Sequence, residues 1–462
     1  MRSISIKIII LTVGITGVLF SCNTSQHYQR ETVNTEKLYG AENTDTTNLS
    51  NMPWQELFTD PLLNAYITEG LANNPDLQIA IQRVTEAEAY FVQSKAALLP
   101  GLNAKATGNY TRNPKSMTPE RPLETGTYQL GLEAAWEVDL WGKLSSAKRA
   151  AYANMLATDA GRKALQTRLI ANIATAYYNL SALDAKLAIT QQTVKNDIDM
   201  VETLKLLKES GRVTSAAIVQ SEAARYAAEV TIPDLEQQIR ETQNAMCLLL
   251  GRNPEEIQRN PLSEPLDASM LKTGVPSQLL DNRPDVMQAE YDVMSAFEMT
   301  NSARAYFYPS LTLTASTGFV SGTLDNLLDP TAFAANVLGG LTAPIFNKKT
   351  NVTRLNVSKA QQEEALLNLR YMLLNAGQEV NNALGLYDTA DRKIILRQKQ
   401  ITALEKSLEY TRELLNYGSV SYIEVLIAQQ SLLFTQLSNV NDHLQQLDAV
   451  VSLYRALGGG WK

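Results

Sequence analysis

Apolar and polar residues alternate with a period of two in four short stretches of the chain. In the first, Leu102, Ala104, Ala106, Gly108 and Tyr110 alternate with Asn103, Lys105, Thr107 and Asn109. In the second, Tyr128, Leu130, Leu132, Ala134, Trp136, Val138 and Leu140 form one face, with Gln129, Glu133, Glu137 and Asp139 on the other. Leu311, Leu313, Ala315 and Phe319 oppose Thr312, Thr314 and Ser316 in the third. Phe333, Ala335, Val337, Leu341 and Ile345 oppose Asn336 and Thr342 in the fourth. A strand sends successive side chains to opposite sides, so the pattern predicts two-faced strands at about 102–111, 128–140, 311–320 and 333–345. A half-buried soluble sheet and a membrane barrel both give this alternation. Aromatics near the strand ends (Tyr110, Tyr128, Trp136, Trp141, Phe319, Phe333) and polar loops within each strand pair point to the barrel.

Elsewhere the period is helical. Leu165, Leu169, Ile173, Ala176, Leu180, Leu183 and Leu187 follow steps of three and four, the seam of a packed helix. Helices are expected over residues 144–208 and 350–416. At ~1.5 Å rise per residue each is a rod on the order of 100 Å long. Glycine turns at Gly211 and Gly418 follow, then returning helices over residues 213–250 and 420–457. Such long helical pairs belong to coiled coils or tubes.

The pattern occurs twice. "NNPDLQIAIQRVTEAEAYFVQSKAALLPGLNAKATGNY" aligns without a gap on "NRPDVMQAEYDVMSAFEMTNSARAYFYPSLTLTASTGF", pairing Pro75 with Pro284 and Pro100 with Pro309. "LWGK" ending at Lys143 matches "IFNK" ending at Lys348, Gly211 matches Gly418, and "LLLGRNP" matches "RALGGGW". One unit of roughly 207 residues is therefore used twice. Each unit opens with proline at a helix start, where its missing N–H costs nothing, and with an aspartate favoured by the helix dipole. Each closes on a glycine, Gly251 or Gly458, suited to a left-handed helix cap. The organisation expected is residues 1–21 as an export signal, 22–60 as a tether and belt segment, 61–253 as the first repeat, 254–280 as a linker and belt segment, and 281–462 as the second repeat.

Composition narrows the function. A formal net charge of −7 gives no reason to bind nucleic-acid phosphates. Two cysteines and two histidines leave no disulfide framework or Cys/His metal site; Cys247 in "NAMCLLLG" reads as a small buried apolar residue. There is no Walker loop, nucleotide glycine fingerprint or H-E-x-x-H, so no enzyme and no cofactor are expected. His27 and His443 have no catalytic neighbour in the sequence, and Glu363 and Glu364 read as solvated helical charge. At the start, Arg2 and Lys7 precede an apolar run from Ile8 to Phe20 that is too short to cross a bilayer and has the layout of an export signal. "LFSC" resembles a bacterial lipobox, which implies a covalent lipid on Cys22; the alternative is an ordinary cleaved signal followed by a chance cysteine.

Four strands cannot close a barrel, and an open edge in lipid leaves backbone groups unpaired. Two chains give eight strands and a filled lumen; three give twelve and a channel. "GVPSQLLDNRPDVMQAEYDVMSA", "ARAYFYPSLTL", "YGSVSYIEVLIAQQSLL" and the closing "LYRALGGGW" resemble the TolC-type outer-membrane efflux proteins, within them the lipoprotein channels of resistance–nodulation–division pumps. The resemblance runs from about Trp54 to Trp461. It implies a mainly α fold with a membrane β-barrel: a homotrimer with four strands per chain in a twelve-stranded barrel, and a long coiled α-helical barrel in the periplasm with a belt around its waist. It implies outer-membrane lipid, a periplasmic membrane-fusion adaptor and an inner-membrane pump as partners. Adaptor contact would fall at Gly211, Arg212, Val213 and at Gly418, Ser419, Val420. The periplasmic gate would fall at Glu424 and Ile427, where Ile427 replaces the acid more usual in the family. Three copies of Glu424 would then make one ring of charge beside an apolar constriction. The same residues also read as plain turn positions and a solvated helix face. Alternatives for the whole chain are the duct of a type I protein-secretion system and a periplasmic structural lipoprotein without a pore.

Overall fold

The computed structural model describes residues 26–30, 38–39, 46–112, 114, 124–262 and 271–462. The expected export segment and Cys22 lie outside the described residues. The elements in order are α1 (Trp54–Leu57), α2 (Pro61–Asn73), α3 (Pro75–Ala96), β1 (Gly101–Arg112), β2 (Glu124–Val138), α4 (Lys143–Glu209), α5 (Ser215–Glu229) and α6 (Thr231–Leu250). Then follow α7 (Leu279–Asn282), α8 (Pro284–Ala305), β3 (Ser310–Ser321), β4 (Phe333–Thr342), α9 (Thr350–Asn416) and α10 (Tyr422–Ala456). Contacts divide the chain into two units, and each unit draws on both sequence repeats.

One unit holds residues 83–158 and 288–369 and contains all four strands. They form one antiparallel sheet in the order β1-β2-β3-β4. Its register puts like on like. Ala104 faces Leu132 and Ala106 faces Leu130 across β1–β2; Trp136 faces Leu313 and Ala134 faces Ala315 across β2–β3; Leu311 faces Leu341 and Phe319 faces Phe333 across β3–β4. Directly opposed residues share a face, so the apolar positions of all four strands gather on one side. That side is bare in the chain: Leu102 is 68 %, Val337 80 % and Leu341 66 % exposed. The other side carries Asn103, Thr107, Gln129, Thr312, Thr314 and Asn336, with an ion pair between Lys105 and Glu133 at 3.6 Å.

The helical part of this unit packs through small residues, Ala150, Ala153 and Ala157 on α4 and Ala303 and Ala305 on α8. Glu298 is buried there and accepts two hydrogen bonds from Arg149, at 2.8 and 2.9 Å. The stretch 26–30, expected as an extended tether, lies along α8: Asn301 donates to Gln26 O at 2.9 Å, Arg30 pairs with Glu290 at 2.6 Å, and Tyr28 meets Phe297 edge-on at 5.5 Å.

The other unit contains the described residues of 33–82, 159–287 and 370–462 and carries the largest apolar core. The predicted seam contributes to it: Leu169, Ile173, Leu180 and Leu183 are buried, with Ala176 and Leu187 against them. Asp60 caps α2 by accepting from Leu62 N at 2.8 Å, and its other oxygen accepts from the Tyr177 hydroxyl at 2.6 Å. Tyr177 accepts in turn from Asn260 N at 3.0 Å, and Arg259 forks onto both oxygens of Asp184 at 2.5 and 2.6 Å. These bonds tie the linker after the first repeat to the middle of α4. The returning helix of the first repeat departs from expectation. It is not continuous over 213–250 but breaks at Val230 into α5 and α6. Pro233 has no N–H to give the Glu229 carbonyl, and its ring crowds that oxygen, so the hydrogen-bond ladder is interrupted there.

Candidate gate and docking tips

The two long helices end in the same turn. After α4, Gly211 N donates to Lys208 O at 2.9 Å and Arg212 N to Leu207 O at 2.9 Å. After α9, Gly418 N donates to Leu415 O at 3.0 Å and Ser419 N to Leu414 O at 2.9 Å. This crossed pair of bonds satisfies the last carbonyls of a helix and requires a left-handed residue between them. Gly211 (φ 75°) and Gly418 (φ 71°) supply it. The space beside both glycines is open to 4 Å.

The expected contact residues come together at this end. Arg212 Nη1 donates to Asn416 O at 3.0 Å, joining one tip to the other. Val213 and Val420 both pack on a small core of Val201, Leu204, Ile218, Leu408, Leu415, Val425 and Ala428. All four helices α4, α5, α9 and α10 contribute to that core. Gly211, Arg212, Gly418 and Ser419 remain exposed.

Ser421 caps α10, its hydroxyl accepting from Ile423 N at 3.3 Å. Glu424 then lies in the first turn of α10, where the helix dipole favours an acid. Glu424 and Ile427 stand three positions apart and so share one face. Both are exposed, while Val425 and Ala428 beside them turn inward.

A further cluster sits behind the tips, and no motif announced it. Asp197 on α4 is buried and accepts from the Gln429 amide of α10. Arg412 on α9 and Arg225 on α5 also face it electrostatically. Burial pushes the Asp197 carboxyl up to about 6, against the pull of Arg412, Gln429 and Arg225. One side chain from each of the other three tip helices thus converges on this acid of α4. The only signal in the sequence is a set of polar residues in helical stretches, which reads as solvated surface until the helices are brought together.

Among the described residues there is no group of His, Cys, Asp and Glu that could hold a metal ion, and no helix is long and apolar enough to cross a membrane. What the chain presents is a bare-faced sheet in one unit and a hairpin-tipped helical assembly in the other. The outer membrane efflux protein family model matches residues 66–252 and 275–459, and the chain belongs to that family of outer-membrane efflux channels. The cation efflux system protein CusC of Escherichia coli is 30 % identical over 452 residues, 96 % of this chain and 97 % of that protein. The probable outer membrane lipoprotein SilC of Salmonella typhimurium is 28 % identical over 98 % of this chain and 99 % of its own length. A crystal structure of CusC superposes with a TM-score of 0.85 at 28 % identity, covering 95 % of this chain and all of that one.

Proposed function

We propose that three copies of this chain form the outer-membrane exit duct of a tripartite efflux pump. One observation carries the reading: a four-stranded sheet with an exposed apolar face and, among the described residues, two unpaired edges, β1 and β4. Lipid covers such a face, but it cannot satisfy such edges, so the barrel must close between copies. The duct binds no nucleotide and is passive; an inner-membrane pump supplies the energy, and a periplasmic adaptor joins pump to duct. Gly211, Arg212, Val213, Gly418, Ser419 and Val420 meet the adaptor. Glu424 forms a ring of charge from three copies, with Ile427 an apolar constriction beside it. A lipid on Cys22 anchors each chain to the outer membrane, consistent with a relative named as an outer membrane lipoprotein.

Bilayer recordings of the purified full chain test this. Discrete conductance steps are expected, with cation preference in the reversal potential. Glu424→Ala is expected to move the reversal potential toward zero with the steps retained. An unchanged potential would remove Glu424 from the gate; an absence of steps from inserted protein would remove the duct.

A further inference from the structure

A cavity of about 360 Å³ lies at the foot of the sheet, walled by the chain leaving β2, the chain entering β3 and the chain passing from β4 into α9. Its volume is at the small end of ligand pockets, about 300–1,000 Å³. Glu137, Ser310 and Thr342 line it from the strands. All three belong to the polar face: Ser310 opposes Thr342, and Glu137 opposes Thr312, two residues on from Ser310. The cavity is therefore on the polar side of the sheet, not on the apolar side that lipid would cover.

Its charged lining is Glu137, Asp139, Lys143 and Arg354. Glu137 pairs with Lys143. Both oxygens of Asp139 accept from the first turn of α4, from Leu144 N at 3.0 Å and Ser145 N at 2.7 Å. Arg354 has no carboxylate partner among the described residues: its guanidinium lies 3.7 Å from the centre of the Tyr306 ring, and Nη1 donates to Asn351 Oδ1 at 3.4 Å. Stacking occupies the flat face of a guanidinium and leaves the N–H groups on its edge to bond elsewhere. The duplication shows what is missing. Arg354 aligns with Arg149, which forks onto buried Glu298 at 2.8 and 2.9 Å. The residue aligned with Glu298 is Ala89, so the arginine is kept and its acid is not. The aromatic lining is also particular to this place. Tyr306 and Tyr308 stand where the first repeat has Ala97 and Leu99. Tyr308 stacks on Trp141 with centroids 5.0 Å apart and 26° between planes, and the indole N–H is held by Pro309 O at 2.6 Å.

We propose that this cavity is a binding site for small aromatic carboxylates, with the carboxylate on the edge of Arg354 and the ring against the Trp141–Tyr308 stack. A guanidinium fork matches the two oxygens of a carboxylate, as Arg149 does with Glu298 in the other repeat. A flat ring extends an offset aromatic stack and fills a narrow space that a bare inorganic anion would leave empty. The inference rests on the duct reading above and deepens it. In a duct the polar face of the sheet lines the conduit, so the ligand is a solute in transit, and the site names one chemical class of solute: planar organic acids.

The test is equilibrium dialysis of the purified full chain against radiolabelled benzoate, with three unlabelled competitors. Benzamide keeps the ring without the charge; acetate and inorganic phosphate keep a charge without the ring. Saturable benzoate binding is expected, with each competitor at least about tenfold weaker, the loss of one charged hydrogen-bonding partner or of the stacking ring. Arg354→Gln is expected to weaken benzoate about tenfold or more, Arg354→Lys to restore part of the loss, and Trp141→Ala to weaken benzoate without changing acetate. Benzamide as strong as benzoate would overturn the role of Arg354, a comparison that needs no variant to fold. Phosphate or acetate as strong as benzoate would mean an inorganic-anion site only and would overturn the ligand class. No saturable binding, or binding unchanged in Arg354→Gln, would overturn the site. Bilayer recordings on the same preparation separate the two readings. Conductance steps without benzoate binding would leave the duct and remove the site. Benzoate binding without steps would remove the duct and, with it, the transit role given to the ligand.

Discussion

The two repeats meet their own ends through one junction built twice with different chemistry. In the first copy, Asn74 precedes the helix proline; its amide donates to Leu249 O at 2.9 Å, and its carbonyl accepts from Leu77 N at 3.0 Å. In the second copy, Arg283 holds that place and donates to Ala456 O at 3.0 Å. Leu249 and Ala456 are themselves equivalent, each two residues before a capping glycine. The duplicated task is to tie the start of one helix to the end of another. A neutral amide does this alone. The guanidinium also forks onto both oxygens of Asp285, at 3.0 and 2.6 Å, and reaches Glu379 on α9 at 2.8 Å. Arg283 is buried, whereas the ion pair near the first junction, Arg252 with Glu69 at 3.2 Å, is half-exposed. Same geometry, different sensitivity to loss: a buried ion cluster is costly to break, and a surface pair contributes little.

Arg283→Asn, which copies the first repeat's residue, breaks the comparison hardest. It strands two carboxylates in a site shaped for a cation, at a cost of about 3–5 kcal/mol. The unfolding midpoint of the solubilised protein should fall accordingly. A loss no greater than that of an exposed substitution would mean the cluster is screened. Gly458→Ala comes next. A Cβ there would meet Asn282 O at 2.3 Å, and the residue holds φ 85°. Left-handed strain and overpacking together cost about 3 kcal/mol. Gly418→Ala, with φ 71° but open space, should cost about 1 kcal/mol, the strain alone. Equal losses at the two glycines would refute the distinction between a packed junction and a free tip. Asn74→Ala removes a cap and a tie, about 1–2 kcal/mol, and should lower the midpoint less than Arg283→Asn.

The smallest effect expected is at the tips. Asp197 is held at about 6, above its ordinary value. The folded tip therefore binds that proton more tightly than the unfolded chain does. This contribution to stability is full below the ordinary carboxyl range and is lost as pH rises through about 6. Hydrogen exchange in residues 197–212 and 412–429 should be slower at about pH 5 than at about pH 8 after correction for intrinsic rates. Asp197→Asn should flatten the difference.

The duplication, the long helices and the four strands were legible because each follows a period in the chain. The register's shared apolar face was legible for the same reason: alternation fixes which residues lie on one side before any partner is known. The tip glycines were legible because a left-handed cap narrows the choice of residue. The break at Val230 was not, because apolar periodicity carries on through a proline that interrupts only hydrogen bonds. Nor was the Asp197 cluster, whose four members come from helices far apart in sequence. Asn74 and Arg283 were visible as helix starts only; their reach to Leu249 and Ala456 exists only once the repeat closes on itself. The closing glycines make the same point. Gly458 ends α10, while a side chain at Gly459 would strike the Tyr454 ring at 2.3 Å. Trp461 then donates to Asn282 O at 2.8 Å, fastening the chain end to the second junction.

The most direct test of the exit-duct reading is made in living cells. A photo-crosslinking residue is placed at Ser419, the cells are irradiated, and the captured protein is identified by mass spectrometry. Capture of a periplasmic membrane-fusion adaptor encoded with a resistance–nodulation–division pump is the result expected. Capture of the adaptor of an ATP-driven protein exporter, or of no adaptor from a correctly localised protein, would contradict it.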